Sequence, residues 1–585
     1  MSTWFNMRGM RSSLAVAVLA ALLLPLATGE FWAYQIGLYL LYAAAAVGIG
    51  LCWGQAGFLP LGQALFFGTA AYLAGFALIA CGTSAWVYLL LPLAAAAAGV
   101  LAYGIGLLVF RRRGESGAYF SMITLALSLL AFQLATSWNA LTGGFEGLKD
   151  IPGLPLLDDI SYNYYVGLAV LGLVLALGAW LFASPIGILW RALAHNERRV
   201  VLLGFDTNRL KALAFGVSGL MAGIGGMVYA PQQGIVAPQA VGFGLSADLV
   251  IWAAVGGRGA LAGPVVGTLL VGTLTSQLRD SVRYWEVILA LFFIVVVLAF
   301  PRGLVGLLSL LPARLRRLPG RRRRAAAITA PARHDGAAMP RLVLDAVGVT
   351  VGEVTILDRL SLTIDRPGIF CIIGPNGAGK TSTFNVVSGE LAATGRIRLG
   401  DTDVTRMAAH RIARLGVGRK LQIPSVFADL TVADNLSIAL WSGRASRLDL
   451  LRPRLRRWTS SMLEELRHRY PFLAVAERTA AELSHGERQI LELAMALLGE
   501  PRVLLLDEPC AGLSPQETAA VVDVIRWAQQ RLGGAIVIIE HDMSLVKELA
   551  ETVFVLHGGT LLARGSVAEI QADAAVRAVY VGGEK

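Results

Sequence analysis

Two different patterns of apolar and polar positions divide the chain. Residues 1–311 are apolar over long stretches with short polar interruptions, whereas residues 341–585 alternate short aliphatic runs with amphipathic segments. Because about twenty consecutive apolar residues cross a bilayer, the first pattern is typical of membrane helices. The second is typical of buried parallel strands and surface helices. It predicts strands at residues 342–349, 369–373, 503–506 and 535–539 and helices at residues 407–414 and 456–468. The sequence therefore predicts an N-terminal polytopic α-helical membrane domain joined to a C-terminal α/β domain.

Nine apolar segments are candidate membrane spans, and the shorter ones fall below the length of a full crossing. The segment at residues 245–274 is interrupted by Gly256, Gly257 and Pro264, which favours a broken or re-entrant pair of half-helices. The nine segments are residues 14–26, 32–53, 58–79, 87–110, 119–134, 164–182, 212–229, 245–274 and 285–298.

Composition and charge agree with a membrane protein. Hydrophobic residues make up 55 % and charged residues 16 % of the 585 residues, compared with about 25 % charged residues in soluble domains. The net charge of +11 could indicate a nucleic-acid-binding protein, but the arginines cluster at residues 111–113, 191–211 and 314–324, beside apolar segments. This is the positive-inside pattern of cytoplasmic loops near anionic lipid. We therefore expect membrane lipid, and no nucleic acid, to account for the charge.

Neither the N-terminus nor the cysteines indicate a secreted protein. The first apolar stretch follows Arg8 and Arg11 and resembles a signal peptide, but further apolar segments follow at once, so we interpret it as a membrane helix or an uncleaved anchor. Four cysteines form no close pair and no metal-ligand spacing, which predicts neither a disulfide framework nor a zinc site. They are Cys52, Cys81, Cys371 and Cys510.

A phosphate-binding loop follows the apolar run at residues 369–373 and precedes a segment of helical character. Its sequence matches GxxxxGKT, whose glycines let several backbone N–H groups point at one anion beside a helix N-terminus. Lys380 is expected to reach the β- and γ-phosphates of ATP, and Thr381 is expected to hold Mg²⁺. The predicted nucleotide-binding residues of this loop are Gly374, Pro375, Asn376, Gly377, Ala378, Gly379, Lys380, Thr381 and Ser382.

A second nucleotide motif lies at residues 503–508, where four aliphatic residues precede two carboxylates. The aliphatic run predicts a buried strand of Walker B type. Asp507 would emerge at its end to hold Mg²⁺, and Glu508 would polarise the water that attacks the γ-phosphate. An Asp-Glu pair after an apolar strand is a weak signal alone, but it becomes a strong one downstream of a phosphate-binding loop.

Between these motifs, Leu483-Ser484-His485-Gly486-Glu487 resembles the signature of ATP-binding cassette (ABC) proteins, usually Leu-Ser-Gly-Gly-Gln. The departures are His485 and Glu487. The resemblance implies that Ser484 and Gly486 meet the γ-phosphate at a helix N-terminus. His485 is either an exposed turn residue or a nucleotide contact, and both interpretations stay open.

Further residues match cassette elements in the expected order. Gln422 matches the glutamine that links the metal site to the membrane domain, so the resemblance implies both a metal-binding and a catalytic role for it. His541 matches the switch histidine that contacts the γ-phosphate, and Ser514 stands where an aspartate is usual. Val351 stands where an aromatic residue commonly stacks on adenine. In this family two cassettes clamp each ATP, so a second cassette is implied, either another copy or a separate partner.

The membrane half resembles permeases of the branched-chain amino acid and urea/amide branch of ABC importers. The resemblance rests on residues 54–57 with 61–68, 119–125, 141–148 and 187–214. It implies a second permease subunit, an extracytoplasmic solute-binding protein and a cytoplasmic coupling loop that would seat beside Gln422. The residues that resemble this loop are Arg191, Asn196, Glu197, Gly204 and Lys211.

Together the two resemblances predict a permease fused to its ATPase: a permease domain at residues 1–311, a basic, Pro/Ala-rich linker at 312–340 and a nucleotide-binding domain at 341–585. ATP is available only in the cytoplasm, so we expect an even number of spans, eight or ten, in a bacterial inner membrane. The implied function is import of branched-chain amino acids or similar small polar solutes. A urea/amide importer and an ABC exporter are the alternatives. A regulatory or DNA-related ATPase would leave the spans without a role, and the charge-poor spans argue against an ion-driven carrier.

Overall fold

The computed structural model describes residues 3–82, 84–111, 117–155, 160–300, 303–310, 327–333 and 339–581. The chain forms two compact units. The first comprises Met1–Ala194 and Asn208–Arg324, and the second comprises His195–Thr207 and Ala325–Lys585. His195–Thr207, here named the inserted segment, lies in sequence between helices of the first unit but folds with the second.

The first unit is built from helices. Within the described residues, seven of its helices are long and apolar enough to cross a membrane. The helices are Thr3–Gly50, the π-turn Leu51–Gln55, Gln63–Cys81, Val87–Val109, Ala118–Ser137, Asn139–Thr142, Gly144–Glu146, Ile160–Ala183, Pro185–His195, Thr207–Gln233, Pro238–Val241, Phe243–Gly256, Gly263–Ser281, Trp285–Ala299 and Leu304–Leu310.

Two differences reduce the nine predicted segments to seven long helices. The first two predicted segments lie on either side of a kink at Gly29, whose φ of 79° is not helical, and the two helices joined there within Thr3–Gly50 count as one long apolar stretch. The segment predicted at residues 245–274 is two helices, neither of which is among the seven. The even number of crossings stays a prediction, and the arginines at 314–324, predicted to face lipid, lie outside the described residues.

The predicted interruption at residues 256–264 is confirmed. Helix Phe243–Gly256 ends where Gly257 takes a φ of 117°, and helix Gly263–Ser281 begins with Pro264 in its first turn. The two helices then approach backbone to backbone: a Cβ on Gly267 would lie 1.9 Å from the carbonyl oxygen of Trp252. Glycine is required there because any side chain would push the helices apart.

The second unit contains three sheets. Six strands form the order β12-β11-β4-β10-β9-β7, four form β3-β2-β5-β6, and β1 pairs with β8. The strands are β1 Ile328–Thr329, β2 Leu342–Val351, β3 Val354–Ile364, β4 Gly368–Ile373, β5 Thr394–Leu399, β6 Thr402–Asp403, β7 Val417–Lys420, β8 Trp458–Thr459, β9 Val503–Asp507, β10 Ala535–Ile539, β11 Thr552–His557 and β12 Thr560–Gly565.

Helices cover these sheets and supply the ends that surround the nucleotide motifs. The helices of the second unit are Glu197–Leu202, Lys380–Val387, Ala409–Arg414, Val432–Trp441, Asp449–Leu451, Pro453–Arg457, Ser461–Arg469, Pro471–Ala474, Ala480–Glu482, His485–Leu498, Pro515–Leu532, Met543–Leu549, Val567–Ala572 and Ala574–Val581.

The central strands β4, β9 and β10 confirm the aliphatic runs predicted as buried strands. Every residue of the three strands is buried, and they run parallel, with Ile539 paired to both Ile372 and Asp507. Continuous burial on both faces explains why these strands are aliphatic throughout instead of alternating. Their carboxyl ends therefore meet at one edge of the sheet.

The helix predicted over residues 456–468 begins later than expected, at Ser461. Trp458 and Thr459 instead form β8, which pairs in parallel with β1. The side chain of Ser460 then accepts a hydrogen bond from the N–H of Leu463 and caps the helix. The predicted helix at 407–414 is confirmed as Ala409–Arg414.

We expect Gly267→Ala to destabilise the first unit because its new Cβ would overlap the Trp252 carbonyl. Overpacking of this kind costs about 1–3 kcal/mol. The matched control is Gly172→Ala, also within a helix, whose Cβ would meet nothing within 4 Å and which should gain up to about 1 kcal/mol from helix propensity. Thermal unfolding of the full chain in detergent measures both. Equal melting temperatures for the two variants would contradict the close approach.

Candidate functional site

The phosphate-binding loop connects β4 to helix Lys380–Val387. Three of its residues take positive φ values, Gly374 at 152°, Gly377 at 82° and Gly379 at 93°, which is the curled backbone that such a loop needs. The Lys380 ammonium donates hydrogen bonds to the carbonyl oxygens of Gly374 (2.8 Å) and Pro375 (3.0 Å). Burial lowers the pKa of Lys380, and the nearby carboxylates of Glu508 and Asp507 oppose that shift.

Two of the predicted Mg²⁺ ligands lie together at the ends of neighbouring elements. Asp507, the last residue of β9, is 2 % exposed, and its carboxylate is hydrogen-bonded to Thr381 at the start of the helix. Burial raises the pKa of Asp507, and the guanidinium of Arg419, 4.0 Å away, counteracts it. A hydroxyl and a carboxylate side by side fit Mg²⁺, which keeps several water ligands and binds phosphate oxygens. In the described part of the chain, no three His, Cys, Asp or Glu residues cluster as a metal site.

Two of the three residues predicted as catalytic, Gln422 and His541, lie beside the carboxylate of the third, Glu508. The side-chain amide of Gln422 donates a 2.8 Å hydrogen bond to Glu508 Oε2, and His541 Nδ1 lies 3.7 Å from Glu508 Oε1. Glu508 follows β9 directly and takes a φ of 43°. This backbone turn and the pairing of β9 with β10 bring Glu508 and His541 to the same sheet edge.

The signature residues are placed differently. Among the described residues, no hydrogen bond or ion pair joins Ser484 or Gly486 to the phosphate-binding loop. Ser484 is the exposed N-cap of helix His485–Leu498 and forms a capping box with Glu487. Gly486 is buried, and a Cβ there would lie 2.2 Å from a carboxylate oxygen of Glu517. In the part of the chain that the structure describes, the fold of one cassette therefore bonds neither residue to its own phosphate-binding loop, and of the two only Ser484 is exposed.

Two of the departures from the usual motifs, Glu487 and Ser514, take part in helix caps. Glu487 reaches back to the Ser484 N–H at 2.8 Å. Ser514 forms the equivalent box with Glu517 at the start of Pro515–Leu532. A serine replaces an aspartate at an N-cap with little loss because both side chains accept from the next turn. Val351 is the last residue of β2 and is 54 % exposed, so an adenine ring stacked there would meet an aliphatic surface.

The structure adds residues that the motifs did not identify. Arg199 of the inserted segment is fully buried. Its guanidinium donates to the carbonyl oxygens of Arg419 (2.8 Å) and Glu492 (3.1 Å) and lies 3.4 Å from Glu492 Oε1. Burial lowers the pKa of Arg199, and the Glu492 carboxylate opposes the shift. A buried charge needs such partners, because isolation would be too costly.

Arg419 connects this group to the nucleotide motifs. From β7 it donates to Asn385 Oδ1 at 2.7 Å and to Ser388 Oγ at 2.7 Å, at the far end of helix Lys380–Val387. It also pairs with Glu390, and Arg198 of the inserted segment pairs with the same carboxylate, with a 3.2 Å bond from Nη2. The sequence offered one signal for Arg419, which forms with Lys420 a pair of cations at the end of a buried strand. Buried cations require neighbours of opposite charge.

Comparisons with known proteins agree with both halves of the chain. Residues 30–298 match the family described as the permease component of the branched-chain amino acid transport system. Residues 357–511 match the ABC transporter family. A solved structure of a nucleotide-free ATP-binding cassette from an ABC transporter shares 26 % identity and covers 41 % of this chain and 99 % of its own, with a TM-score of 0.37.

Two curated relatives match the C-terminal half. The high-affinity branched-chain amino acid transport ATP-binding protein LivG of Salmonella typhimurium is 35 % identical over 251 residues, which cover 42 % of this chain and 98 % of LivG. The corresponding BraF of Pseudomonas aeruginosa is 32 % identical over 255 residues, covering 42 % of this chain and 99 % of BraF. The chain therefore belongs to the ABC transporters of the branched-chain amino acid type, with a permease domain and an ATP-binding cassette in one polypeptide.

Proposed function

We propose that this protein imports branched-chain amino acids, or closely similar small solutes, across the bacterial inner membrane at the expense of ATP. The observation that carries the proposal is the union in one chain of a permease of the branched-chain amino acid type with a cassette similar to LivG and BraF. The cassette would lie in the cytoplasm, where ATP is available, which requires an even number of crossings. The domain boundaries proposed from the sequence, 1–311, 312–340 and 341–585, describe this division of labour.

The proposed ATPase uses the side chains gathered at the carboxyl ends of β4 and β9. Lys380 and the loop N–H groups would hold the phosphates, and Thr381, Asp507 and Gln422 would hold Mg²⁺. When bound, Mg²⁺ supplies charge neutralisation of the phosphate oxygens. Glu508 would accept the proton of the attacking water, since Gln422 holds one of its carboxylate oxygens by a hydrogen bond and His541 lies 3.7 Å from the other.

The separate position of Ser484 and Gly486 supports the need for a second cassette. In a complete site, Ser484 and Gly486 of one cassette would close over the ATP held by the other. We propose a separately encoded partner cassette, with a second permease subunit and an extracytoplasmic solute-binding protein completing the transporter. Selection of the small polar solute would rest largely on that binding protein.

The inserted segment provides the proposed link between ATP and transport. It carries Arg198 and Arg199, whose partners are Glu390, Glu492 and the carbonyl of Arg419, and Arg419 lies on β7 beside the Walker B strand β9. Closure of the cassettes on ATP would move the inserted segment and with it the two helices that flank it in sequence, Pro185–His195 and Thr207–Gln233. Such rigid-body motion is the usual means by which a small local change switches access.

Two other functions compete with this proposal. Urea or short amides are favoured by residues 256–259, 416–420 and 483–486, which resemble the urea-type members. An exporter would share the layout of a membrane domain fused to a cassette, but it would not depend on a binding protein. Stimulation of ATP hydrolysis by a liganded binding protein separates import from export.

Glu508→Gln should lower ATP hydrolysis by about 100-fold or more because the general base is lost, while ATP binding is retained. Lys380→Ala should instead weaken ATP binding by about 10- to 100-fold because charge-assisted hydrogen bonds to phosphate are removed. Hydrolysis by membrane vesicles and binding of a labelled ATP analogue measure the two effects. Near-normal hydrolysis by Glu508→Gln would remove Glu508 from the base role.

Arg198→Ala should lower solute uptake more than ATP hydrolysis because it removes a contact of the inserted segment with Glu390. The matched control is Arg526→Ala, whose arginine is as exposed as Arg198 (49 % against 51 %) and forms an ion pair with Glu548. Exposed pairs contribute only about 0–1 kcal/mol to stability, so neither variant should unfold. Uptake per ATP hydrolysed is the measurement, and equal ratios for the two variants would contradict the coupling role.

Competitive uptake of labelled leucine and labelled urea, in cells with and without this gene, tests the solute. We expect loss of leucine uptake and unchanged urea uptake. Loss of urea uptake alone would replace the amino-acid proposal by the urea proposal. If neither solute is affected, other small amides and amino acids become the candidates.

A further inference from the structure

Part of the stretch interpreted as a linker is folded into the second unit. Ile328 and Thr329 form β1, which pairs in parallel with Trp458 and Thr459, and the N–H of Ala330 continues the pairing with a 2.7 Å bond to the Thr459 carbonyl. The segment Ile328–Arg333 is named the linker latch below. It is followed by residues outside the described part, and β2 begins at Leu342.

Arg333 ends the linker latch and binds two helix ends at once. Its guanidinium donates to the carbonyl oxygen of Ala413 at 2.6 Å and to that of Gly499, and its backbone N–H donates to Glu500 Oε2 at 3.0 Å. Ala413 closes helix Ala409–Arg414, and Gly499 caps helix His485–Leu498. Such carbonyls lack partners within their own helices and carry the negative end of the helix dipole, so they suit a cation.

A second arginine fixes the linker latch from the cassette side. Arg444 Nε donates to the Pro331 carbonyl at 2.8 Å. Its Nη1 donates to the Leu498 carbonyl at 2.9 Å, and its Nη2 lies 2.9 Å from Glu500. Arg333 and Arg444 therefore both bind Glu500 and the end of helix His485–Leu498, and Arg444 also holds Pro331 there. Burial lowers the pKa of Arg333 to about 10, so the guanidinium stays protonated at neutral pH.

The inserted segment contacts the immediate neighbours of these residues. Arg414, which follows Ala413 in sequence, donates from Nε to the carbonyl oxygen of Gly204 at 2.7 Å. Ser442, two residues before Arg444, donates its hydroxyl to the carbonyl oxygen of Leu203. Leu202, Leu203 and Arg333 also line one cavity of about 20 Å³, which holds about one water. Two stretches separated by more than a hundred residues therefore share one supporting surface.

We propose that the linker latch is a second positioning element for the inserted segment, with Arg333 as its positioning residue. Arg333 ties the end of helix Ala409–Arg414, which carries Arg414, the partner of Gly204, to the end of His485–Leu498. The middle of His485–Leu498 carries Glu492, a partner of Arg199. The link to transport rests on the proposed coupling role of the inserted segment. The positioning of the inserted segment by the linker latch depends only on the surface that both segments contact.

Hydrogen–deuterium exchange of the purified full chain tests the positional claim without any solute. Arg333→Ala should speed exchange of the amides of residues 200–204 by about tenfold, while β9 and β10 exchange as in the wild type, because only local opening is made easier. Arg333→Lys should restore part of the protection, since one ammonium still reaches a helix end. The control is Arg359→Ala, whose side chain is 84 % exposed and which should change neither region.

Unchanged exchange at residues 200–204 in Arg333→Ala would overturn the proposal. Equal acceleration in β9 and β10 would also overturn it, because the linker latch would then merely stabilise the whole cassette. In cells, the same variant should lower uptake per ATP hydrolysed at least about threefold, and a normal ratio despite faster exchange would sink the functional part. If the wild type transports neither leucine nor urea, the proposed solute fails, but the exchange result still decides the positional claim.

Discussion

The pairing of buried charges around Arg419 is the constraint on which the rest of the second unit depends. Arg419 is 2 % exposed, yet it lies among Asn385, Ser388, Glu390 and Asp507. Removing any of these partners would leave charge in a region of low dielectric, where an unpaired ion costs several kcal/mol. The strand β7, the far end of helix Lys380–Val387 and the Walker B carboxylate are therefore held in one arrangement.

The inserted segment takes part in the same arrangement. Arg199 satisfies the Arg419 carbonyl and the Glu492 carboxylate, and Arg198 shares Glu390 with Arg419. A segment bound only by apolar contacts could slide, whereas bonds from a planar guanidinium fix both distance and direction. The geometry thus favours transmission of small displacements between the side chains of the nucleotide-binding motifs and the inserted segment.

Local sequence predicted the elements whose causes are local. Continuous aliphatic runs gave β4, β9 and β10, glycine and proline gave the break at Gly257, and the resemblance gave Gln422 and His541 beside Glu508. What the sequence did not reveal depends on partners far along the chain. Trp458 and Thr459 favour extended backbone, but two residues are too short a run to predict a strand, and they form β8 because β1 lies beside them. Arg199 resembles any other loop arginine until Glu492 is placed next to it. The kink at Gly29 separates the first two predicted segments, because a glycine with a φ of 79° interrupts the helical backbone.

The capping box at Ser484 has a consequence for how a cassette can receive a phosphate. A serine hydroxyl offers one proton and two lone pairs. The cap uses a lone pair, which accepts from the Glu487 N–H at 3.1 Å, so the hydroxyl proton is left available on an exposed surface. Ser484 can therefore donate to an arriving anion without first surrendering the bond that begins its helix. In the proposed site between two cassettes, the start of this helix would therefore not have to be rebuilt at each turnover.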